Sequence, residues 1–225
     1  IWWHWLVVIV PHDVVVNRST AFLYITGGDN RDTSTHGIPD DKSEDLFVAA
    51  SIAVSSRTPA AVLFQVPNEP IRFPVDPFHE NRVEDAAIAL TWWYYLQHTD
   101  QPYWILELPM TKAGVRALDA MQGILPKYIG GGNVTNFYVA GASKRGWTTW
   151  LVGAVDKRVS AIIPIVLDAL NVVDFAKRQW RMYGAWSFAL TDYWKMNITQ
   201  DWDEPAMTKL MQIIDPWYYL DRLTM

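Results

Sequence analysis

Six residues in the middle of the chain, Gly141-Ala-Ser-Lys-Arg-Gly146, set a hydroxyl nucleophile between glycines. An apolar run, Asn136-Phe-Tyr-Val-Ala140, leads into them and a helical pattern continues from them to about Val155. A sharp strand-to-helix turn lifts a serine off a sheet, and the helix N-terminus then offers amide donors to a developing oxyanion. In that context Ser143 is the candidate nucleophile of an acyl transfer that cleaves an ester, amide or peptide bond. The usual elbow places its second glycine two positions after the serine, whereas here it falls at Gly146, with Arg145 where a small residue normally sits. The same six residues also read as a glycine-bounded turn with an incidental serine.

A second oxyanion donor is available upstream. The run Ala21 to Thr26 ends at Gly27-Gly28-Asp29-Asn30, a glycine pair at the carboxyl end of a predicted strand. The amide of Gly28 or Asp29 would join that of Lys144; taken alone, the glycine pair is an ordinary tight turn. The Lys144 ammonium either assists the oxyanion or an acidic substrate group, or is simply solvated at a helix start. Asp168, just after an apolar run, reads as a triad acid displaced one strand early or as the start of a loop. The five histidines, His4, His12, His36, His79 and His98, all precede Ser143, whereas the hydrolase order is nucleophile, acid, histidine. Either Ser143 is not catalytic, or its acid and histidine lie beyond Met225.

These residues need elements to position them. Trp5 to Val10, Ala21 to Thr26, Ala61 to Val66, Asn136 to Ala140 and Ser160 to Leu167 are short, apolar and closed by breakers, which predicts strands buried on both faces. Helices are predicted from Ser43 through Val54 with Phe47, Ala50 and Val54 on one side, over Arg82 to His98, from about Lys112 to Lys127, and after Ser143. Apolar strands alternating with helices imply parallel pairing in a layered α/β sheet. After Asn171 the texture turns polar and aromatic, which predicts a helical excursion over residues 172–215 capping the sheet edge as a lid. Residues 1–225 form one unit, without repeats or linkers.

Composition excludes several classes of function. The net charge of −5 and the absence of basic runs argue against a nucleic-acid partner. Cysteine is absent, which removes disulfides and thiolate metal sites, and no histidine or carboxylate spacing suggests a metal centre. No cofactor motif occurs, and no apolar run approaches the length needed to cross a bilayer core of roughly 30 Å. The expected partner is a small-molecule or peptide substrate, or a receptor if the chain signals. Thirteen tryptophans are more than a core of this size requires. They read as core and lid packing, or, if several line the Ser143 edge, as a sugar-stacking platform. Asn17, Asn133 and Asn197 head glycosylation sequons, which matter if the chain passes through a eukaryotic secretory pathway.

Several stretches together resemble the PhoPQ-activated pathogenicity-related protein family, which includes the secreted autocrine proliferation repressors. They are Ile25-Thr-Gly-Gly-Asp-Asn30, Val83-Glu-Asp-Ala-Ala-Ile-Ala-Leu-Thr-Trp-Trp93, Gly141-Ala-Ser-Lys-Arg-Gly-Trp-Thr-Thr-Trp150, Leu167-Asp-Ala-Leu-Asn171, Tyr183-Gly-Ala-Trp-Ser-Phe-Ala-Leu190 and the closing Asp215 to Met225. The resemblance implies an α/β-hydrolase fold, export to a secreted or periplasmic location with a signal peptide outside these residues, and a serine-hydrolase-like site with Ser143 as elbow serine. It also implies that the stretch ending at Met225 leads into the next core strand, so that the chain is a fragment cut before its triad acid and histidine. The alternative is a non-catalytic secreted signalling or binding protein on a hydrolase scaffold. A sheet cut there would leave an open apolar edge, and the fragment alone is expected to self-associate.

Overall fold

A computed structural model describes residues 2–12, 18–31, 37–167 and 170–225. Its centre is a five-stranded sheet of β1 (Leu6–Ile9), β2 (Thr20–Ile25), β3 (Ala60–Leu63), β6 (Asn136–Ala142) and β7 (Val159–Ile165), in the order β1-β3-β2-β6-β7. A separate two-stranded hairpin pairs β4 (Ile71–Arg72) with β5 (Asn81–Arg82). The fold is α/β with a mostly parallel sheet, since β3, β2, β6 and β7 run parallel. The exception is β1, antiparallel to β3, with Leu6 opposite Leu63 and Ile9 opposite Ala60. Only residues 10–19 separate β1 from β2, too few for the helical crossover that parallel strands require, so β1 runs the other way at the sheet edge.

Alternation along β2 distributes its side chains between two cores. Ala21, Leu23 and Ile25 face α2 (Glu84–Gln97), α3 (Glu107–Ile124) and α4 (Lys144–Val155), while Phe22 points to the opposite face under α1 (Glu44–Ser56). Helix α1 does not present the expected stripe: Phe47 and Val54 are exposed, and Ala49 and Ala53 make the contact. Small residues let that helix lie close to β2 and β3, and packing outweighs hydrophobicity. Helix α3 begins earlier than Lys112 and contains Gly114, where a Cβ would come within 2.7 Å of Val152 Cγ2 on α4. That glycine permits the close crossing that a helix-propensity argument counts only as a cost.

Beyond β7 the chain forms α5 (Val172–Tyr183), α6 (Thr191–Lys195) and α7 (Pro205–Ile214), joined by 3₁₀ turns and closed by the turn Pro216–Arg222. One contact closes this helical segment on itself and another anchors it to the core. Buried Asp215 accepts the Val172 amide at 2.8 Å and the Asn171 amide at 3.3 Å, capping α5 from the end of α7. Trp147 on α4 donates Nε1 to the Ile214 carbonyl at 2.6 Å. Asp168 and Asn17 lie outside the described residues.

On the α1 side the sheet is covered only in part. Tyr138, Ile163 and Ile165 share the face of Phe22 and Ala140 and are 43, 48 and 39% exposed. Among the described residues β7 has β6 as its one strand neighbour. An apolar edge and an apolar half-face side by side favour association with further chain. The 225-residue chain expressed by itself is therefore expected to be oligomeric or poorly soluble in analytical ultracentrifugation. A monodisperse monomer with a cooperative melt would refute this.

Candidate active site

Ser143 lies between β6 and α4 with φ 56° and ψ −125°, a backbone conformation that a non-glycine residue holds only when its surroundings impose it. The constraints come from both sides. The Ser143 amide donates to the Ile165 carbonyl of β7 at 2.9 Å, and the Ser143 carbonyl accepts the Trp147 amide at 3.1 Å as the first bond of α4. A Cβ on Gly141 would lie 2.6 Å from the Arg145 carbonyl oxygen, and one on Gly146 would lie 3.1 Å from the carbonyl oxygens of Gly141 and Ile165. The displaced second glycine thus still serves close packing of helix on strand. The Ser143 side chain stands exposed at the carboxyl edge of the parallel strands.

Arg145 turns inward at the position where the motif departs from its usual form. Its guanidinium is buried, bonds Glu84 through both terminal nitrogens at 2.7 Å, and donates Nε to the Val66 carbonyl at 2.5 Å. A Cβ on Gly27 would meet Arg145 Nη2 at 2.6 Å, so Gly27 is the residue that admits the guanidinium. The Glu84 amide donates to Glu69 Oε2 at 2.6 Å, and Glu84 itself has φ 52°. Lys144 is also buried, with Nζ 2.6 Å from Glu84 and 3.1 Å from Asp85. It is therefore neither the solvated lysine nor the free cation that its sequence position allows.

The network separates its acids. Burial first, then the neighbouring Glu84 carboxyl, pushes Glu69 up to about 8, so it carries a proton at neutral pH. Glu84 is pushed up by burial too, but hydrogen bonds from Arg145 outweigh that and hold it well below the usual carboxylate range. Near Asp85 sits Tyr193, whose hydroxyl donates to Asp85 Oδ1 at 3.4 Å and whose ring lies tilted against that of Trp92, with centroids 4.9 Å apart. Trp92 in turn donates Nε1 to Glu107 Oε1 at 2.8 Å, while Glu107 Oε2 is buried without a hydrogen-bond partner. Glu107 opens α3, where the helix dipole favours charge, yet burial prevails and pushes it up to about 7.

A cleft of about 300 Å³ opens beside Ser143. Trp147 and Lys144 of α4, Val166 and Leu167 after β7, and Phe175, Ala176 and Gln179 of α5 line it, with Ser187, Leu190 and Tyr193 on the far wall. The segment after Asn171 thus supplies much of the cleft's lining. β7 ends at Ile165, two residues before the predicted Leu167 boundary, and Val166, at φ 47° and 82% exposed, follows it in the cleft lining. Larger cavities, about 500 Å³ beside Trp2 and Lys112 and about 860 Å³ beside Met225, lack a nucleophile at a helix start.

The other predicted residues are placed less uniformly. Lys144 lines the cleft, whereas Gly28 and Asp29 are not among its lining residues. Gly28 has φ 134° and packs on Gln65; the Asp29 carbonyl accepts Gln65 Nε2 at 3.0 Å, and its carboxylate holds Arg31. Among the described lining residues there is no histidine. Asn133 and Asn197 are exposed. Trp92, Trp147 and Trp202 are buried, and Trp147 alone of the described tryptophans reaches the cleft, so no sugar platform is formed there. Sequence reading missed Glu69, Glu84 and Asp85; the signal available was Arg145 itself, a cation in a glycine-flanked turn that demands buried partners.

The family model described as PhoPQ-activated pathogenicity-related protein matches residues 1–225. The chain belongs to that family. It is 42% identical over 225 residues to autocrine proliferation repressor protein A of Dictyostelium discoideum, covering all of this chain and 43% of that protein. The chain thus spans under half the length of the curated relative it matches. No solved structure matches it. Among the described residues no helix is long and apolar enough to cross a membrane.

The family member's buried charges predict two stability effects. Arg145→Met removes both guanidinium bonds to Glu84 and leaves Lys144 as its remaining ion-pair partner; it should cost about 3 kcal/mol, the low end for a broken buried pair because Glu84 keeps that partner and some solvent access. Arg145→Lys should recover only part of this, since an ammonium cannot span Glu84 and the Val66 carbonyl together. Unchanged urea midpoints in both variants would contradict the network. For Glu107, whose folded value lies above its unfolded one, the unfolded chain ionises first as pH rises. Its contribution is complete below about pH 4.5 and is lost as pH passes about 7, on the order of 3 kcal/mol in all. Comparing urea midpoints at about pH 5 and pH 8, Glu107→Gln should lose less stability than the parent; equal losses would rule this out.

Proposed function

We propose that the full-length protein is a serine hydrolase that cleaves an ester, amide or peptide bond, with Ser143 as nucleophile. One observation carries this reading: a serine held at φ 56° between a buried strand and a buried helix, exposed at the mouth of a cleft. An antiparallel edge strand followed by parallel strands, with the serine after β6, supports α/β-hydrolase layering. In the reaction Ser143 Oγ forms a bond to the substrate's carbonyl carbon while the carbonyl π pair moves onto oxygen. The Lys144 amide and that of Gly28 or Asp29 hold the oxyanion. Its collapse breaks the bond to the leaving group, which departs with the proton taken from Ser143 by a general base. Water then cleaves the acyl-enzyme, releasing the acid and restoring the hydroxyl.

The base is an imidazole from the part of the protein outside these residues. The acid is Asp168, next to the cleft residue Leu167, or a carboxylate beyond Met225. Export to a secreted or periplasmic location is part of the same proposal, with Asn17, Asn133 and Asn197 as glycan acceptors in a eukaryotic source. A second reading, a non-catalytic secreted signal or binding protein acting on a receptor, draws on the relative's name, autocrine proliferation repressor, and on the lack of histidine among the described cleft residues.

A fluorophosphonate probe applied to the full-length protein and its Ser143→Ala variant separates the two. Labelling that is lost in the variant is the expected result, and equal absence of labelling in both folded proteins would favour the signalling reading.

A further inference from the structure

Among the described residues, the charges that line the cleft beside Ser143 are paired with one another. Lys144 is the one cation among the described residues lining the cleft, and it is buried between Glu84 and Asp85. Asp85, the one anion there, takes that ammonium together with the Tyr193 hydroxyl. Arg145 lies behind them, closed by Glu84. A charged group entering the cleft would lose hydration and gain no free counter-charge, a combination that excludes it.

The remaining wall is mainly apolar, with Gln179 and Ser187 as its polar members. Trp147, Leu167, Val172, Phe175, Ala176 and Leu190 come from α4, the residues after β7, α5 and the turn after it, and they line the space at the serine. Phe175 is 46% exposed, apolar area left facing the opening. At about 30 Å³ for each water-sized group, about 300 Å³ accommodates roughly ten, enough for an acyl chain of about six to eight carbons with its carboxyl oxygens.

From these observations we infer that the cleft beside Ser143 receives an uncharged, apolar acyl group of about six to eight carbons, so that the substrates are medium-chain acyl esters or amides. This rests on the serine-hydrolase reading for its chemistry; the choice of occupant rests on the cleft's walls and paired charges. Each methylene buried in such a wall favours binding about fourfold.

The test uses p-nitrophenyl acetate, butyrate, hexanoate and hemisuccinate with the full-length protein. kcat/KM is expected to rise on the order of 100-fold from acetate to hexanoate, with the anionic hemisuccinate well below butyrate. Ala189→Trp, at an exposed position of the cleft wall, should lower the hexanoate-to-acetate ratio at least about tenfold. A flat chain-length profile or a preference for hemisuccinate, in protein that the fluorophosphonate labels at Ser143, overturns the acyl assignment and leaves the serine reading standing. If no ester is turned over and no labelling occurs, the serine reading fails, and binding decides the occupant. The neutral fluorophore N-phenyl-1-naphthylamine should then bind the parent protein, be displaced by hexanamide and not by succinamate, and bind weakly to Ala189→Trp. Failure of hexanamide to displace it, or unaltered binding in that variant, overturns the apolar pocket as well.

Discussion

A guanidinium buried two residues after Ser143 binds four separate stretches of chain to one geometry. Arg145 reaches the Val66 carbonyl after β3, the Glu84 carboxylate at the start of α2 and the Gly27 backbone after β2, while its own backbone opens α4. An arginine in that place can only be tolerated if every donor it buries is answered, because an unpaired buried charge costs several kcal/mol. The answers then become constraints in their turn. Gly27 must stay small, Glu84 must adopt a left-handed φ to bring its carboxylate round, and Glu69 must come close enough to receive the Glu84 amide. The loops at the carboxyl edge of the sheet therefore share one buried polar network rather than moving independently.

The helical segment beyond Asn171 is attached to the same element. Trp147 projects from α4 to the end of α7, and Asp215 at that end caps α5, so the cleft wall is referenced to the helix that starts at Ser143. Trp147 also meets Trp92 edge-on with ring centroids 5.7 Å apart, which ties α4 to α2 and hence to Glu84 and Asp85. The aromatic excess of the chain finds part of its use here: indole rings span between helices, with their N–H groups satisfied by the Ile214 carbonyl and Glu107.

Much of this was legible in the sequence, and the reason is local. The strands β2 and β3 are continuous apolar runs bounded by glycine or polar turns, and burial on both faces demands just that composition, whereas β6 is apolar too but leaves Tyr138 exposed on the α1 side. The strand-turn-helix context of Ser143 was readable for the same reason. Direction and partnership were not. That β1 is antiparallel depends on the length of its connection to β2, and that α1 packs through Ala49 and Ala53 while Phe47 faces solvent depends on how closely a helix approaches the sheet. Glu84, the shared partner of Lys144 and Arg145, lies 61 residues upstream of Arg145, a separation that no periodicity encodes. The motif's irregular spacing was itself informative once the network was seen: with Arg145 spent on tying loops together, the glycine needed for helix-on-strand packing shifts one position to Gly146.

The strain at Ser143 bears on what the site is for. A non-glycine residue in that conformation costs of order 1–3 kcal/mol, and relaxing it would require only a glycine at the same position or a looser turn. The chain instead surrounds the serine with two close-packed glycines, a bond to β7 and a fully paired cation on either later position. A scaffold whose surface merely binds a receptor gains nothing from an exposed hydroxyl held in this way, because binding surfaces tolerate ordinary backbone geometry. Acyl transfer does gain, since the hydroxyl must stand clear of the sheet while the next amide points at the oxyanion. The strained turn and the internally paired charges of the cleft beside it therefore favour the proposed chemistry at Ser143 over the scaffold reading, a chemistry that calls for an imidazole not found among the described cleft residues.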